Sequence, residues 1–254
     1  MNANIVGFDV KLGRKKPENI IHKDADCPFC DVDKLTDIIA TDGDIILLKN
    51  KYNVITDADQ FVLIESKECH FDMPYYSKEH MRRLIRFGLF HYERMRKSDK
   101  YEAVIFFKNY GPLSGGTIRH PHMQIVGFKK INPDLFCNEE EFNGLLISKN
   151  NSIEMNISTA PKIGFGEINI IGDVGYEPDT LADYIQMSTD YMVNHLNRRN
   201  KSYNIFFYSI NDKLYVKILP RFATSPLFIG YNIRFIPNNV AEIADEIRNL
   251  YFEN

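Results

Sequence analysis

Residues 111–128 read GPLSGGTIRHPHMQIVGF, a small-residue loop running into an apolar segment that carries two histidines one residue apart. Side chains alternate faces along an extended strand. His120, His122 and Gln124 therefore line one face, and Pro121, Met123 and Ile125 line the other. One face is chemical and the other belongs to a core. In the loop, Ser114, Gly115, Gly116 and Thr117 bring backbone N–H groups and hydroxyls where phosphate oxygens could approach, since glycine permits close contact and unusual dihedrals. A lone Gly-Gly pair is also an ordinary turn, and strand histidines are often simple packing groups.

Working outward, Ala103–Lys108 (AVIFFK) reads as the strand that delivers the chain to Asn109 and the loop. Ser77 caps a helix running to about Arg96, because Met81, Leu84, Ile85, Gly88, Tyr92 and Met95 recur at helical spacing. Asp44–Leu48 and Gln60–Ser66 are two further strand candidates, joined by the polar stretch Asn50-Lys51-Tyr52-Asn53. Residues 1–26 suggest an extended arm, with Lys11–Lys16 a solvated basic cluster.

Downstream of Phe128 the plan recurs. Glu167–Ile171 reads as a strand, a helical segment runs from Asp179 to about Asn200, and Tyr203–Ile210 follows as a strand. Ile105-Phe106-Phe107 returns as Ile205-Phe206-Phe207, an offset that suggests internal duplication. After that strand the second copy has Lys213–Phe222 (KLYVKILPRF), with no histidine beyond His195. Asn239–Phe252 closes the chain as an amphipathic helix.

Cys27-Pro28-Phe29-Cys30 has the spacing that lets two thiolates reach one tetrahedral ion. A redox pair would want a buried strand before it and a helix after it, whereas the polar KDAD precedes it; unbound thiols are the other reading. Cys27, Cys30, His70 and His120 together would fill a structural zinc site. Such a site has no open position for water, and it leaves His122 as a candidate nucleophile, because a neutral imidazole is nucleophilic near pH 7. Cys69 reads as buried on the opposite face, and Cys137 carries no signal.

With 254 residues and 44% hydrophobic composition the chain can bury a large core. A net charge of -3 argues against a nucleic-acid partner. No segment reads as a membrane span or a secretion signal, which implies a cytoplasmic protein.

The run FVLIESKECHFDMP, then a helix, then AVIFFKNYGPLSGGTIRHPHMQIVGF, resembles the galactose-1-phosphate uridylyltransferase branch of the histidine-triad (HIT) superfamily. The likeness covers about residues 27–128. It implies an α+β fold of two tandem HIT-like units, each a mainly antiparallel sheet with a packed helix, residues 1–130 catalytic and 131–254 degenerate. It also implies a nucleotidylyltransferase acting on a nucleoside diphosphate compound such as a UDP-sugar. His122 would form a nucleotidylyl-histidine intermediate, and Gln124 would contact the phosphate. Asn109 and Thr117 would lie near the phosphates and Asn50 at the nucleoside. Cys27, Cys30, His70 and His120 would hold structural zinc, and family members often form homodimers. Two alternatives remain, a dinucleoside polyphosphate phosphorylase or hydrolase and a non-catalytic zinc-stabilised nucleotide-binding protein. The sequence departs from the family at Glu68, Cys69 and Phe71, the residues around His70.

Overall fold

The computed structural model describes residues 5–22, 24–131, 138–150, 152–196 and 201–253. Its chain divides into two compact units, Met1–Asp72 with Arg83–Phe136 and Met73–Arg82 with Cys137–Asn254. The α+β expectation holds: antiparallel sheets with helices packed against them.

In the first unit, β1 (Ile38–Asp42), β2 (Ile45–Lys49), β3 (Ala58–Ile64), β4 (Ala103–Tyr110) and β5 (His122–Phe128) pair in the order β1-β2-β3-β5-β4, every neighbour antiparallel. One face of this sheet is covered by α2 (Lys78–Arg96). Leu63, Met123, Ile125 and Phe106 are at most 1% exposed there, and Leu84, Ile85 and Tyr92 of the helix at most 2%. Gly88 explains the close approach, since a Cβ at that position would stand 2.7 Å from Phe106 Cζ. Ser77 Oγ accepts from His80 N–H at 3.2 Å and starts the helix as a cap.

The opposite face carries the chemistry. Register places Leu48 beside Val62, Val62 beside Gln124, Gln124 beside Phe107 and Ile64 beside His122. Ile46, Leu48, Val62 and Ile64 form an apolar cluster, with Phe29 and Leu35 packed on it.

The first residues are not a free arm. A single helical turn, α1 (Val10–Gly13), is capped by Asp9, and Phe8 bridges to Ile55. Asn19 is fully buried: its N–H donates to Thr117 O at 3.0 Å and its Oδ1 accepts from Arg119 N–H at 2.6 Å. The arm is thus strapped to the loop before the histidines.

The second unit repeats the connectivity. Strands β6 (Gly144–Lys149), β7 (Ile153–Ser158), β8 (Ile168–Gly172), β9 (Tyr203–Ile210) and β10 (Lys213–Pro220) pair in the order β6-β7-β8-β10-β9, again antiparallel, with α3 (Pro178–Asp190) between the third and fourth strands. α3 continues as a wider π-helical stretch to Leu196; the expected helix end near Asn200 lies outside the described residues, as does Cys137. α4 (Pro226–Tyr231) and α5 (Val240–Tyr251) follow.

The identical triplets are not structural equivalents. Phe106 points to the helix-covered face of its sheet, 1% exposed. In β9 that position belongs to Phe207, 2% exposed, in a row with Met155, Ile170 and Val216. Tyr184 of α3 reaches Ser148, in register with Met155, at 3.0 Å. A one-residue slip exchanges the two faces of a strand, so the 100-residue offset of the triplets is one residue out of phase with the fold. On the face away from α3, β10 carries Lys213, Tyr215 and Lys217, in place of a histidine and a glutamine. Lys217 is fully buried against Glu167 at 3.3 Å.

Among the described residues no helix is long and apolar enough to cross a membrane.

Candidate active site and metal centre

Four donor atoms converge in the first unit. The Sγ atoms of Cys27, Cys30 and Cys69 and a ring nitrogen of His120 all lie within 4.8 Å of one another. Cys27 Sγ and Cys30 Sγ stand 3.4 and 3.5 Å from His120 Nδ1. Tetrahedral zinc bonds of about 2.3 Å to sulfur and 2.0–2.1 Å to nitrogen imply ligand–ligand edges of about 3.6–3.8 Å, so a small contraction onto an ion would complete the coordination. His120 Nε2 donates to the Ser66 carbonyl at 2.8 Å, the outer contact that orients a ligating imidazole. The donor set fits a metal ion.

The fourth donor is Cys69, and this corrects the expectation of His70. β3 ends at Ile64, and residues 67–70 turn instead of continuing as a strand. The Ser66 hydroxyl accepts from Glu68 N–H at 3.1 Å and shapes that turn. Face alternation fails beyond Ile64, Cys69 swings to the cluster, and His70 is left exposed.

The thiols are electrostatically unlike. Burial raises the Cys27 pKa, but hydrogen bonds involving His120, Cys30 and the Phe29 backbone outweigh it and bring it to about 6. Burial, the contacts with Cys27 and Cys69 and their charges push Cys30 up to about 12. One ready thiolate is an entry point for a cation, whose binding displaces the remaining thiol protons.

His122 lies beside this cluster, 7% exposed. Its Nδ1 is 2.8 Å from the His120 carbonyl; a carbonyl only accepts, so Nδ1 carries the proton and Nε2 keeps its lone pair. Burial pushes the imidazole pKa down to about 4, opposed by that hydrogen bond and reinforced by the charges of Lys108 and His120. At neutral pH the ring is uncharged. Phe29, between the two cysteines, meets both rings edge-on, its centroid 5.9 Å from His120 and 5.4 Å from His122.

His122 opens into a cavity of about 410 Å³ whose floor is the row Leu48, Val62, Gln124 and Phe107. Of the residues expected at a nucleotide, Asn50, Asn109, Gly115, Gly116, Thr117 and Gln124 line it. Ser114 does not. Its side chain is turned inward, donating to Gly111 O at 2.7 Å and accepting from Gly116 N–H at 3.3 Å, so it shapes the loop. Gly115 has φ +85° with open space where a Cβ would stand, a conformation that favours glycine. Asn50 Oδ1 accepts from Tyr52 N–H at 2.9 Å and holds the turn after β2.

A buried ion triad stands behind the site. Lys108 Nζ pairs with Glu65 and, at 2.9 Å, with Asp72, all three at most 1% exposed. It ties β4 to both ends of the segment that supplies the Ser66 carbonyl and Cys69. Neither the triad nor the roles of Cys69 and Phe29 were inferred from sequence. Lys16, expected in solvent, lines the cavity together with Lys34, Lys49 and Lys51.

Comparisons with known proteins agree with this architecture. The family model described as the N-terminal domain of a domain of unknown function (DUF4931) matches residues 8–131, and the corresponding C-terminal domain matches residues 135–252. A DUF4931 family protein from Bacillus cereus has a solved structure 41% identical to this chain, covering 85% of this chain and all of that one, with a TM-score of 0.77. A uridylyltransferase structure is 13% identical, covering 89% of this chain and 91% of that one, TM-score 0.70. An ADP-glucose phosphorylase from Arabidopsis thaliana, solved with ADP-glucose bound, is 16% identical, covering 93% of this chain and 92% of that one, TM-score 0.69. At such identities the likeness is one of fold, and at that level the uridylyltransferase-like resemblance read from the motifs holds. No protein of curated function matches the chain.

Proposed function

The chain belongs to the DUF4931 family, and we propose that this member is a nucleotidylyltransferase that works through a covalent intermediate on His122. The observation that carries the reading is the buried imidazole held by the His120 carbonyl at 2.8 Å at the end of a cavity lined by Asn109, Gly115, Gly116, Thr117 and Gln124.

His122 Nε2 attacks the α-phosphorus of a nucleoside diphosphate compound, a nucleotide sugar being the simplest. The Nε2–P bond forms, the bond from phosphorus to the bridging oxygen breaks, and its electron pair leaves on the departing phosphate. The proton stays on Nδ1, donated to the His120 carbonyl, which stabilises the charge that develops on the ring. The Gly115 backbone N–H, with Thr117, Asn109 and Gln124, would donate to the phosphoryl oxygens. An oxygen of a phosphate-bearing acceptor then attacks the phosphorus and frees the histidine. The second unit, whose β10 carries lysines and a tyrosine on the corresponding face, would not share this chemistry.

Cys27, Cys30, Cys69 and His120 would hold zinc as a closed structural ion. Bound there, it would join the Cys27–Cys30 turn to the 67–70 turn and fix His120, whose carbonyl orients the nucleophile. The fold shared with a uridylyltransferase and an ADP-glucose phosphorylase supports the reading.

A covalent relay predicts exchange without net reaction. Incubated with UDP-glucose or ADP-glucose and labelled glucose 1-phosphate alone, the enzyme should move label into the nucleotide sugar. His122→Ala should abolish the exchange; exchange that survives it would remove the proposal.

A further inference from the structure

The Cys27-Pro28-Phe29-Cys30 turn borders two spaces. Pro28 and Phe29 line the His122 cavity, and neither cysteine does. Cys27 and Cys30 instead line a second, open groove, together with Asp26, Asp31 and Asp33. Cys30 is exposed and Cys27 half-buried, so solvent reaches this pair without passing the nucleophile. Cys69 completes the cluster from the 67–70 turn and does not line the groove.

The donor set adds to that accessibility. Three cysteines and one histidine meet there, one thiol more than the expected set of two and two. A coordinating thiol is deprotonated, so three of them leave a divalent ion overcompensated by one negative charge. Thiolates are the form that attacks oxidants. Oxidation-sensitive cysteines are solvent-accessible and stand beside a second, resolving thiol, and Cys30 meets both conditions.

We propose that Cys27 and Cys30 are a peroxide-sensitive pair whose oxidation to a disulfide dismantles the metal centre and disturbs the His122 site. The proposal rests on the zinc reading of the cluster and goes beyond it. The Cys30 thiolate attacks one oxygen of hydrogen peroxide. The O–O bond breaks, the sulfur keeps a hydroxyl as a sulfenic acid, and the other oxygen takes a proton and leaves as water. The Cys27 thiolate then attacks that sulfur, the S–S bond forms as the S–O bond breaks, and the departing hydroxide takes a second proton. Two thiolates have given up two electrons, and the peroxide has accepted them. Hydrogen peroxide is small and uncharged, so the three carboxylates of the groove do not repel it.

Cys69 and His120 are then the donors left, two where a tetrahedral ion takes four. Phe29 carries the change inward. It packs on the Ile46, Leu48, Val62 and Ile64 cluster, and its ring centroid lies 5.4 Å from that of His122. Drawing two sulfurs from the about 3.8 Å edge of a tetrahedral site into covalent contact re-forms the turn around it. His120, whose carbonyl holds His122 at 2.8 Å, loses its metal bond at the same time.

Titrating the zinc-loaded protein with hydrogen peroxide in the presence of a chromogenic chelator tests the proposal. About one zinc per chain should be released as a disulfide forms that peptide mapping places at Cys27 and Cys30, and dithiothreitol with added zinc should reverse both. NMR resonances of the His122 ring should shift on oxidation and return on reduction. Label exchange should fall about tenfold or more in the oxidised form. Zinc retained under excess peroxide, release without a disulfide, a bond joining other cysteines, or unchanged His122 resonances would overturn the proposal. Elemental analysis of the starting protein keeps the metal reading separate: a chain that takes up no zinc removes that reading and the proposal together. Absence of exchange in the reduced protein would sink the transfer reading and leave the zinc, disulfide and NMR results to stand.

Discussion

Lys108→Met removes the cation from a site where two carboxylates have no access to water. Lys108, Glu65 and Asp72 are at most 1% exposed, and the Lys108 ammonium is the group that meets both acids. Breaking a buried ion pair by deleting one partner costs about 3–5 kcal/mol, because the remaining charge stays desolvated. For a chain of this size that loss corresponds to a melting-temperature drop of about 6–20 °C. The damage should be directional. Glu65 and Asp72 bracket the segment that supplies the Ser66 carbonyl to His120 and Cys69 to the metal cluster, so repelling carboxylates would loosen both contacts. Denaturant unfolding and elemental analysis on the same sample measure the two effects together: a destabilised chain with much reduced zinc occupancy is expected. Neutralising all three positions with Lys108→Met, Glu65→Gln and Asp72→Asn should recover much of the stability. A loss below about 1 kcal/mol with zinc fully retained would refute the reasoning.

Cys69→Ser should lower zinc content sharply while His70→Ala leaves it unchanged, as read by elemental analysis; the opposite pattern would restore His70 as the fourth ligand. Acid should weaken the fold through His122. Between pH 6.5 and about 4 the unfolded chain binds a proton that the folded histidine excludes, so stability is fully present above pH 6.5 and falls as pH drops toward 4, by about 3 kcal/mol. Urea midpoints of the wild type and His122→Gln across that range should show the slope reduced by that amount in the variant. Gly88→Ala should destabilise by about 1–3 kcal/mol in thermal melts, since its Cβ would lie 2.7 Å from Phe106 Cζ under a close-packed helix.

The strands with dense Ile, Val and Phe were legible. Ala103–Tyr110 and Tyr203–Ile210 matched within two residues, and α2 followed its apolar stripe from the Ser77 cap. Short or mixed strands were not. β1 at Ile38–Asp42 is largely exposed, and β10 carries Lys217 in a buried position, which disguises its core alternation. Local periodicity reports which side is buried only while the residue spacing stays regular. It failed at Cys69, where a turn replaces the strand, and at the repeated Ile-Phe-Phe triplets, where identical letters face opposite ways. The strand itself begins only at His122; His120, in the bend before it, joins the cysteine cluster while His122 lines the cavity. Lys16 was assigned to solvent because nothing in a run of basic residues tells which one a later fold will turn inward. The strap that does so depends on Asn19 meeting Thr117 and Arg119, about a hundred residues on.

The nucleophile is the centre of the account, and intact-mass spectrometry of the zinc-replete protein after brief exposure to ATP, UTP, ADP-glucose and UDP-glucose tests it most directly. One nucleotidyl group per chain should appear, labile to acid and stable to base as a phosphoramidate, and peptide mapping should place it on His122. An adduct that persists in His122→Ala, or no adduct with any donor that binds, would contradict it.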